Sequence, residues 1–335
     1  MMHIEYDDTM MGFYEDYIKK SFMQNVEGLR HRYVFDYKRE KDLQLDAACK
    51  VFLDYLLEED HLWELANTPA DKLEDRIRDY QRLFSGFGLN KKQMKHTTLY
   101  KCAYALFVDM GYAHLDAPRL FDAIGADVCP YCNRVFVKAI KTNKDYADIE
   151  KGKKLVRGEL DHFYTKEQYP FLAVSKYNLV PSCSYCNGVY GKHTHDAIAK
   201  KLYNPYLIKP DHSDCHFEAV FTDGKLLSLT ECAKGIRIDL KCEPCMESNK
   251  NEFNLQELYD SHKDYAAELY QIAQMRTKQQ YFRFLKKNLE KHGRKVTKED
   301  ILRLMINSYV NPKDYNKRPL SKFVNDIAKD LGLLS

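Results

Sequence analysis

Four cysteines and an aspartate–histidine pair have the types and spacing to do chemistry. Cys129-Pro-Tyr-Cys132 and Cys183-Ser-Tyr-Cys186 form two C-x-x-C knuckles with 50 residues between them. Each knuckle presents two thiolates from one tight turn, and two such turns together make a closed tetrahedral site suited to Zn2+. A closed site performs no reaction; it ties distant segments together, so metal affinity becomes folding free energy. One C-x-x-C alone fits thiol exchange equally well. Two of them bracketing Asp161-His162 point to structural zinc on Cys129, Cys132, Cys183 and Cys186.

Between the knuckles, Asp161 and His162 close the segment Gly158-Glu-Leu-Asp-His. Adjacent strand residues face opposite ways unless the strand ends there, so one can bind a metal while the other addresses a substrate. The imidazole of His162 suits a base that takes a proton from water. Asp161 offers hard oxygen to Mg2+ or a similar ion, and Asn187, just after the last knuckle cysteine, offers an amide oxygen.

The order Asp-His, then Asn178, then C-x-x-C-Asn187, with an earlier C-x-x-C, resembles the zinc-stapled branch of the HNH endonucleases with their ββα-metal fold. The likeness covers about residues 129–193. It implies that His162 is the general base, that Asn178 steadies the loop and the base, and that Asp161 and Asn187 hold a catalytic divalent ion. The stretches Cys-Pro-Tyr-Cys-Asn-Arg, Leu-Asp-His-Phe-Tyr and Asn-Leu-Val-Pro-Ser-Cys are similar to HNH proteins encoded with an ATPase in bacterial antiphage systems of the Septu and retron-associated kind. Leu-Tyr-Asp-Ser-His near Tyr259 and Pro-Leu-Ser-Lys-Phe near the C-terminus add to the likeness. Thr165 stands where that pattern commonly has proline, and the basic residue usual after the second knuckle comes at Lys192-His193, which the resemblance implies as nucleic acid contacts. The resemblance thus implies one-metal phosphodiester hydrolysis, a nucleic acid substrate and a partner ATPase docked on the N-terminal region.

The elements that must position these residues read as an α+β chain, mainly helical, and the resemblance implies a central ββα-metal module at 128–200. A helical region at 1–127 precedes it, and a mixed, then helical region at 201–335 follows. Leu45, Ala48, Phe52, Leu56, Leu62 and Leu65 recur at helical spacing. Thr68-Pro69-Ala-Asp71 reads as a helix start, and a further helix runs from about Pro118 to Gly125. Arg134–Ile140 and Leu155–Leu160 read as a strand and its return. A helix from about Gln274 to His292 lines up Arg283, Lys287, Lys291 and Arg294 on one face, a surface fitted to nucleic acid phosphate. Thr297 and Asp300 start the next helix.

Composition sets the remaining limits. The chain of 335 residues is 44% apolar and holds 25 Tyr and 17 Phe, too much buriable surface for a disordered protein. No stretch approaches the roughly 18 apolar residues of a membrane span, and the acidic N-terminus lacks the order of a signal peptide. A cytoplasmic protein is expected, with its ten cysteines as thiols rather than disulfides. Residues 1–128 carry 17 basic and 23 acidic groups, and residues 129–335 carry 35 and 26, so a polyanion should meet the C-terminal two-thirds. Cys215, Cys232, Cys242 and Cys245, with His212 and His216, offer a second, weaker zinc set, and His193-Thr-His195 a weaker one still. The alternative to a nuclease is a non-catalytic zinc module that binds nucleic acid or holds an assembly together.

Overall fold

The computed structural model describes residues 1–58, 60–138, 158–221, 229–274, 278–291 and 296–334. The N-terminal third is built from helices whose ends follow local side-chain chemistry. Asp46 accepts the Cys49 N–H at the start of the helix Ala47–Leu57, and Thr97 caps Thr98–Tyr104 in the same way. Asp116 caps Ala117–Ile124, and Gly125 ends it at φ +63°, a left-handed conformation that glycine adopts without steric cost.

Two local expectations change here. Residues 34–44 are a hairpin, β1 (Val34–Tyr37) and β2 (Glu40–Gln44), inside a region read as wholly helical. Alternation explains it: Phe35 and Tyr37 face the core while Asp36 faces solvent. Thr68 does not cap the next helix; its hydroxyl donates to the Glu64 carbonyl, and a 3-10 turn, Ala70–Lys72, leads into Leu73–Leu83.

In the central region, β3 (Glu159–His162) pairs antiparallel with β4 (Leu179–Ser182), placing Asp161 opposite Val180 and His162 opposite Leu179. The expected pairing of 134–140 with 155–160 is met among the described residues by one bond, Gly158 N–H to the Val137 carbonyl at 2.9 Å, and the rest of it lies outside the described residues. The first segment also folds back on the first knuckle, with an isolated bridge from Val128 to Phe136 and a bond from Val137 N–H to the Asp127 carbonyl at 2.9 Å. All four residues of β4 are buried. A single helical turn, Ser184–Asn187, follows β4 and carries the second knuckle.

The C-terminal region opens with a second pair, β5 (Cys215–Phe221) and β6 (Ile236–Cys242), then becomes helical. Its capping box at Thr297 and Asp300 forms as the sequence indicates. The last helix, Ser321–Asp330, is buried over most of its length. Cys215 and Cys242 are register partners joined as a disulfide, which corrects the expectation of thiols throughout.

One continuous apolar cluster joins all three regions. Phe171, after β3, stacks on Tyr80 with ring centroids 4.5 Å apart. The Tyr14 hydroxyl donates to the Val174 carbonyl at 2.6 Å, and Ser175 Oγ donates to Leu65 O at 2.9 Å. The loop between β3 and β4 is thus held by the N-terminal helices. Among the described residues, no helix is long and apolar enough to cross a membrane.

Candidate functional site

Both knuckles are closed by their own backbone. Asn133 N–H bonds the Cys129 carbonyl at 2.7 Å, and the N–H groups of Cys186 and Asn187 bond the Cys183 carbonyl at 3.1 and 2.9 Å. The four cysteines are buried, and their sulfurs all lie within 4.8 Å of one another. Cys132 Sγ is 3.9 Å from Cys183 Sγ. Thiolates about 2.3 Å from one tetrahedral zinc stand roughly 3.8 Å apart, so the cluster has the size of a zinc site. Hydrogen bonding from Cys129 pulls the Cys132 and Cys183 thiols down, while burial pushes Cys129 up and hydrogen bonding with the other three sulfurs pushes Cys186 up. The four cysteines could hold a metal ion such as zinc.

Distant segments brace the first knuckle. Met2 N–H donates to the Pro130 carbonyl at 2.8 Å. Asn133, fully buried at φ +50°, is satisfied on every side. Its carbonyl accepts Leu320 N–H at 2.6 Å, its Oδ1 accepts Lys322 N–H at 3.2 Å, and its Nδ2 donates to Tyr315 O at 3.0 Å. The C-terminal Pro-Leu-Ser-Lys-Phe stretch therefore has a defined task, holding the turn after Cys132.

His162 ends β3 and is buried, 7% exposed, with its ring centroid 4.4 Å from that of Tyr112 in an edge-on arrangement. Its Nε2 lies 3.0 Å from the Ala173 carbonyl oxygen. A carbonyl only accepts, so Nε2 carries the proton and the lone pair resides on Nδ1. Burial, reinforced by the Lys166 ammonium, brings the imidazole pKa down to about 3 and keeps the ring neutral. Asn178, fully buried, governs the intervening loop. Its Oδ1 accepts Tyr164 N–H at 2.7 Å, and its Nδ2 donates to the Tyr164 and Leu172 carbonyls, both at 3.0 Å. One amide thus fixes both ends of the loop that carries the Ala173 carbonyl.

Asp161 is placed otherwise than expected. Its Oδ2 accepts the Tyr131 hydroxyl at 2.6 Å, and its Oδ1 meets Lys192 Nζ at 2.9 Å. Asn187 turns its amide to Glu159, Nδ2 to Oε2 at 2.8 Å. Asp161 and Asn187 each face a different partner, so the donor set as placed does not fit a shared divalent ion.

Lys192 is fully buried, and this corrects its expected contact with phosphate. Carboxylate and ammonium satisfy each other away from water, a pairing that a lysine's sequence context does not announce. His193 is exposed, as are Arg283, Lys287 and Lys291 on the helix Lys278–Lys291; Arg294 lies outside the described residues.

The second zinc set does not assemble. Cys215 and Cys242 bond each other, Cys232 is buried, and Cys245 is exposed. His212 accepts His3 N–H and bonds the Pro312 carbonyl, while His216 faces Asp326 and Asp330. In the His193-Thr-His195 segment, His195 pairs with Glu252.

Glu159, Tyr131, Asn133, Ala173 and Tyr259 were not legible as site residues. The Tyr inside the first knuckle and the alternation that puts Glu159 on the Asp161 side of β3 were the available signals.

Comparison with known proteins gives a partial relationship. Over 54 residues, 16% of this chain, the sequence is 43% identical to the Septu protein PtuB of Bacillus thuringiensis. The matched stretch is 20% of that protein, so the chain spans about a fifth of its relative's length. No family model matches the chain, and no solved structure matches it significantly.

Proposed function

We propose that the chain is a nucleic acid phosphodiester hydrolase of the HNH type, an effector of antiphage defence that works with a partner ATPase. The observation that carries the reading is the His162 imidazole, held by the Ala173 carbonyl so that Nδ1 keeps its lone pair. The partial identity to PtuB supports the link to a Septu-like system.

In this reading His162 Nδ1 accepts a proton from the water that attacks phosphorus. Its low proton affinity in the free chain comes from burial and from the Lys166 charge. A substrate phosphate nearby counters the Lys166 charge and raises the affinity of the ring for the proton. Asn178 keeps the loop, and with it the Ala173 carbonyl, in register. Arg283, Lys287 and Lys291 attract the phosphate backbone from their exposed helix face. Zinc on the four cysteines takes no part in bond breaking; when bound it fixes the two knuckles on either side of β3. Because Asp161 and Asn187 are turned apart, no step is routed through a second ion.

The test is cleavage of plasmid, single-stranded DNA and tRNA in Mg2+ or Mn2+ buffer, with and without the neighbouring ATPase. His162→Ala is expected to lose activity about a thousandfold, while one zinc per chain is retained. Full activity in that variant overturns the assignment. The second reading, a non-catalytic zinc module, has the buried Asp161–Lys192 pair in its favour. It predicts nucleic acid binding without cleavage under every condition. Co-elution of the full chain with the ATPase, lost on reversing exposed acidic charges within residues 1–127 such as Asp71 and Asp79, tests the docking role of that region.

A further inference from the structure

Two adjoining clefts in the C-terminal region share a pair of guanidinium groups that no carboxylate answers. The first, about 350 Å³, is lined by Phe136, Tyr265, Glu268, Ser308 and Arg318. The second, about 410 Å³, has Arg318 in common with it and reaches Arg303 and Leu289. Arg303 and Arg318 both stand over the Tyr309 ring, 4.0 and 5.5 Å from its centroid. Arg318 donates to the Asn307 carbonyl at 2.9 Å, and among the described residues Arg303 makes no hydrogen bond. Neither has a carboxylate within ion-pair distance among those residues. By contrast Lys317, 5.9 Å from the same ring, pairs with Asp314, and Asp300 on the second cleft is taken up by Thr297 N–H and hydroxyl. Two unanswered guanidinium groups gathered on one ring repel each other until an anion bridges them, and their planar forks match phosphate oxygens.

The rest of the first cleft has a different character. Phe136 is 62% exposed and meets no other ring among the described residues, and Tyr265 is exposed as well. Ser308 is 1% exposed, yet its hydroxyl has no hydrogen-bond partner. A buried hydroxyl left unpaired is costly, and a ligand that bonds it removes the cost. Bare rings, an unpaired hydroxyl and two guanidinium groups together suit a ligand that joins a flat ring to an anion. We propose that the clefts bind a nucleotide, its phosphate on Arg303 and Arg318 and its base against Phe136 and Tyr265. Glu268 then accepts from an exocyclic amine of the base. A free nucleotide and one residue of a strand share this chemistry. A strand would continue along the helix Lys278–Lys291, whose Leu289 lines the second cleft and which carries Arg283, Lys287 and Lys291. No residue of the loop between β3 and β4 lines either cleft, so the site is independent of the His162 reading.

The experiment is titration calorimetry of the zinc-loaded full chain with AMP, GMP, CMP and UMP, their nucleosides, inorganic phosphate and a short single-stranded oligonucleotide. The best monophosphate is expected to bind about tenfold or more tightly than its nucleoside or phosphate alone, since only it engages rings and guanidinium groups together. An oligonucleotide that binds more tightly still assigns the site to a strand; one that binds no better assigns it to the free nucleotide. Arg303→Gln, which breaks no hydrogen bond within the chain, should weaken the tighter of these ligands about tenfold. Ser308→Ala should weaken it about threefold while the melting temperature holds or rises, because the hydroxyl has no partner to lose. Phe136→Ala should bring the monophosphate down toward the affinity of phosphate. The proposal is overturned if no nucleotide or oligonucleotide binds, if phosphate alone matches the best monophosphate, or if Arg303→Gln leaves affinity unchanged. Tighter binding of a polyglutamate peptide than of every nucleotide probe overturns it too, and marks a protein-docking surface instead.

Discussion

The hydroxyl of Tyr259 donates to the Cys132 carbonyl at 2.6 Å, joining a C-terminal helix to the first knuckle across 127 residues of sequence. Tyr259 is fully buried, with its ring 4.1 Å from that of Phe217 and 5.3 Å from that of Phe323. The ring gives the contact its position, and the hydroxyl completes a carbonyl that water does not reach.

Tyr259→Phe keeps the ring and removes only the donor. The orphaned carbonyl should cost about 1–3 kcal/mol. The loss falls on the turn that sets the Cys129 and Cys132 sulfurs, so zinc should also leave faster to a chelating dye. A urea midpoint and a zinc-release rate both equal to wild type would show that the bond carries nothing.

Removing the metal should have a larger effect than any single hydrogen bond. Structural zinc sites contribute on the order of 10 kcal/mol of folding free energy. Here the cluster anchors β3, β4 and segments from both ends of the chain. Excess chelator, or Cys183→Ser, should therefore lower the melting temperature by about 10 °C or more. It should also expose the loop between β3 and β4 to proteolysis. A chelated chain with unchanged melting and zinc content below a tenth per chain would mean the four thiols are merely buried.

What could be read from the residues was local. The two knuckles, the Asp-His between them, the Asp116 cap with Gly125 and the Thr297–Asp300 capping box each carry their signal within a few positions. What could not be read depended on partners far away in sequence. The choice of 179–182 as the mate of 159–162 rests on which apolar run can be buried, and periodicity alone does not say with whom a strand pairs. Lys192 reads as the basic nucleic acid contact after the second knuckle until Asp161, 31 residues away, is seen to neutralise it. Cys215 and Cys242 read as loose thiols until β5 and β6 place them in register.

Asn178 tests whether loop geometry governs the base. Asn178→Ala would leave Tyr164 N–H and the Tyr164 and Leu172 carbonyls without their buried partner, at a cost of about 2–4 kcal/mol. Asn178→Asp keeps the acceptor for Tyr164 N–H and loses the two donated bonds. In cleavage assays the aspartate variant should lose kcat with little change in KM, because substrate contacts lie elsewhere. A variant with wild-type kcat would remove Asn178 from the positioning of His162.

Acid should destabilise the fold through its buried imidazoles. Burial lowers His162 to about 3 and His212 to about 4, against roughly 6.5 in an unfolded chain. Because both pKa values are depressed in the fold, the unfolded state binds more protons below that value. Their contribution is complete above about pH 6.5 and is lost as pH falls toward 4, by about 1.4 kcal/mol per pH unit for each ring. His212→Gln removes one of the two without touching the cysteines, and its Nε2 donor can still reach the Pro312 carbonyl. Urea midpoints from pH 7.5 to 5 should thus fall less steeply in His212→Gln than in wild type, at equal zinc content. Parallel slopes would show that His212 is already protonated, or already exposed, in the folded chain.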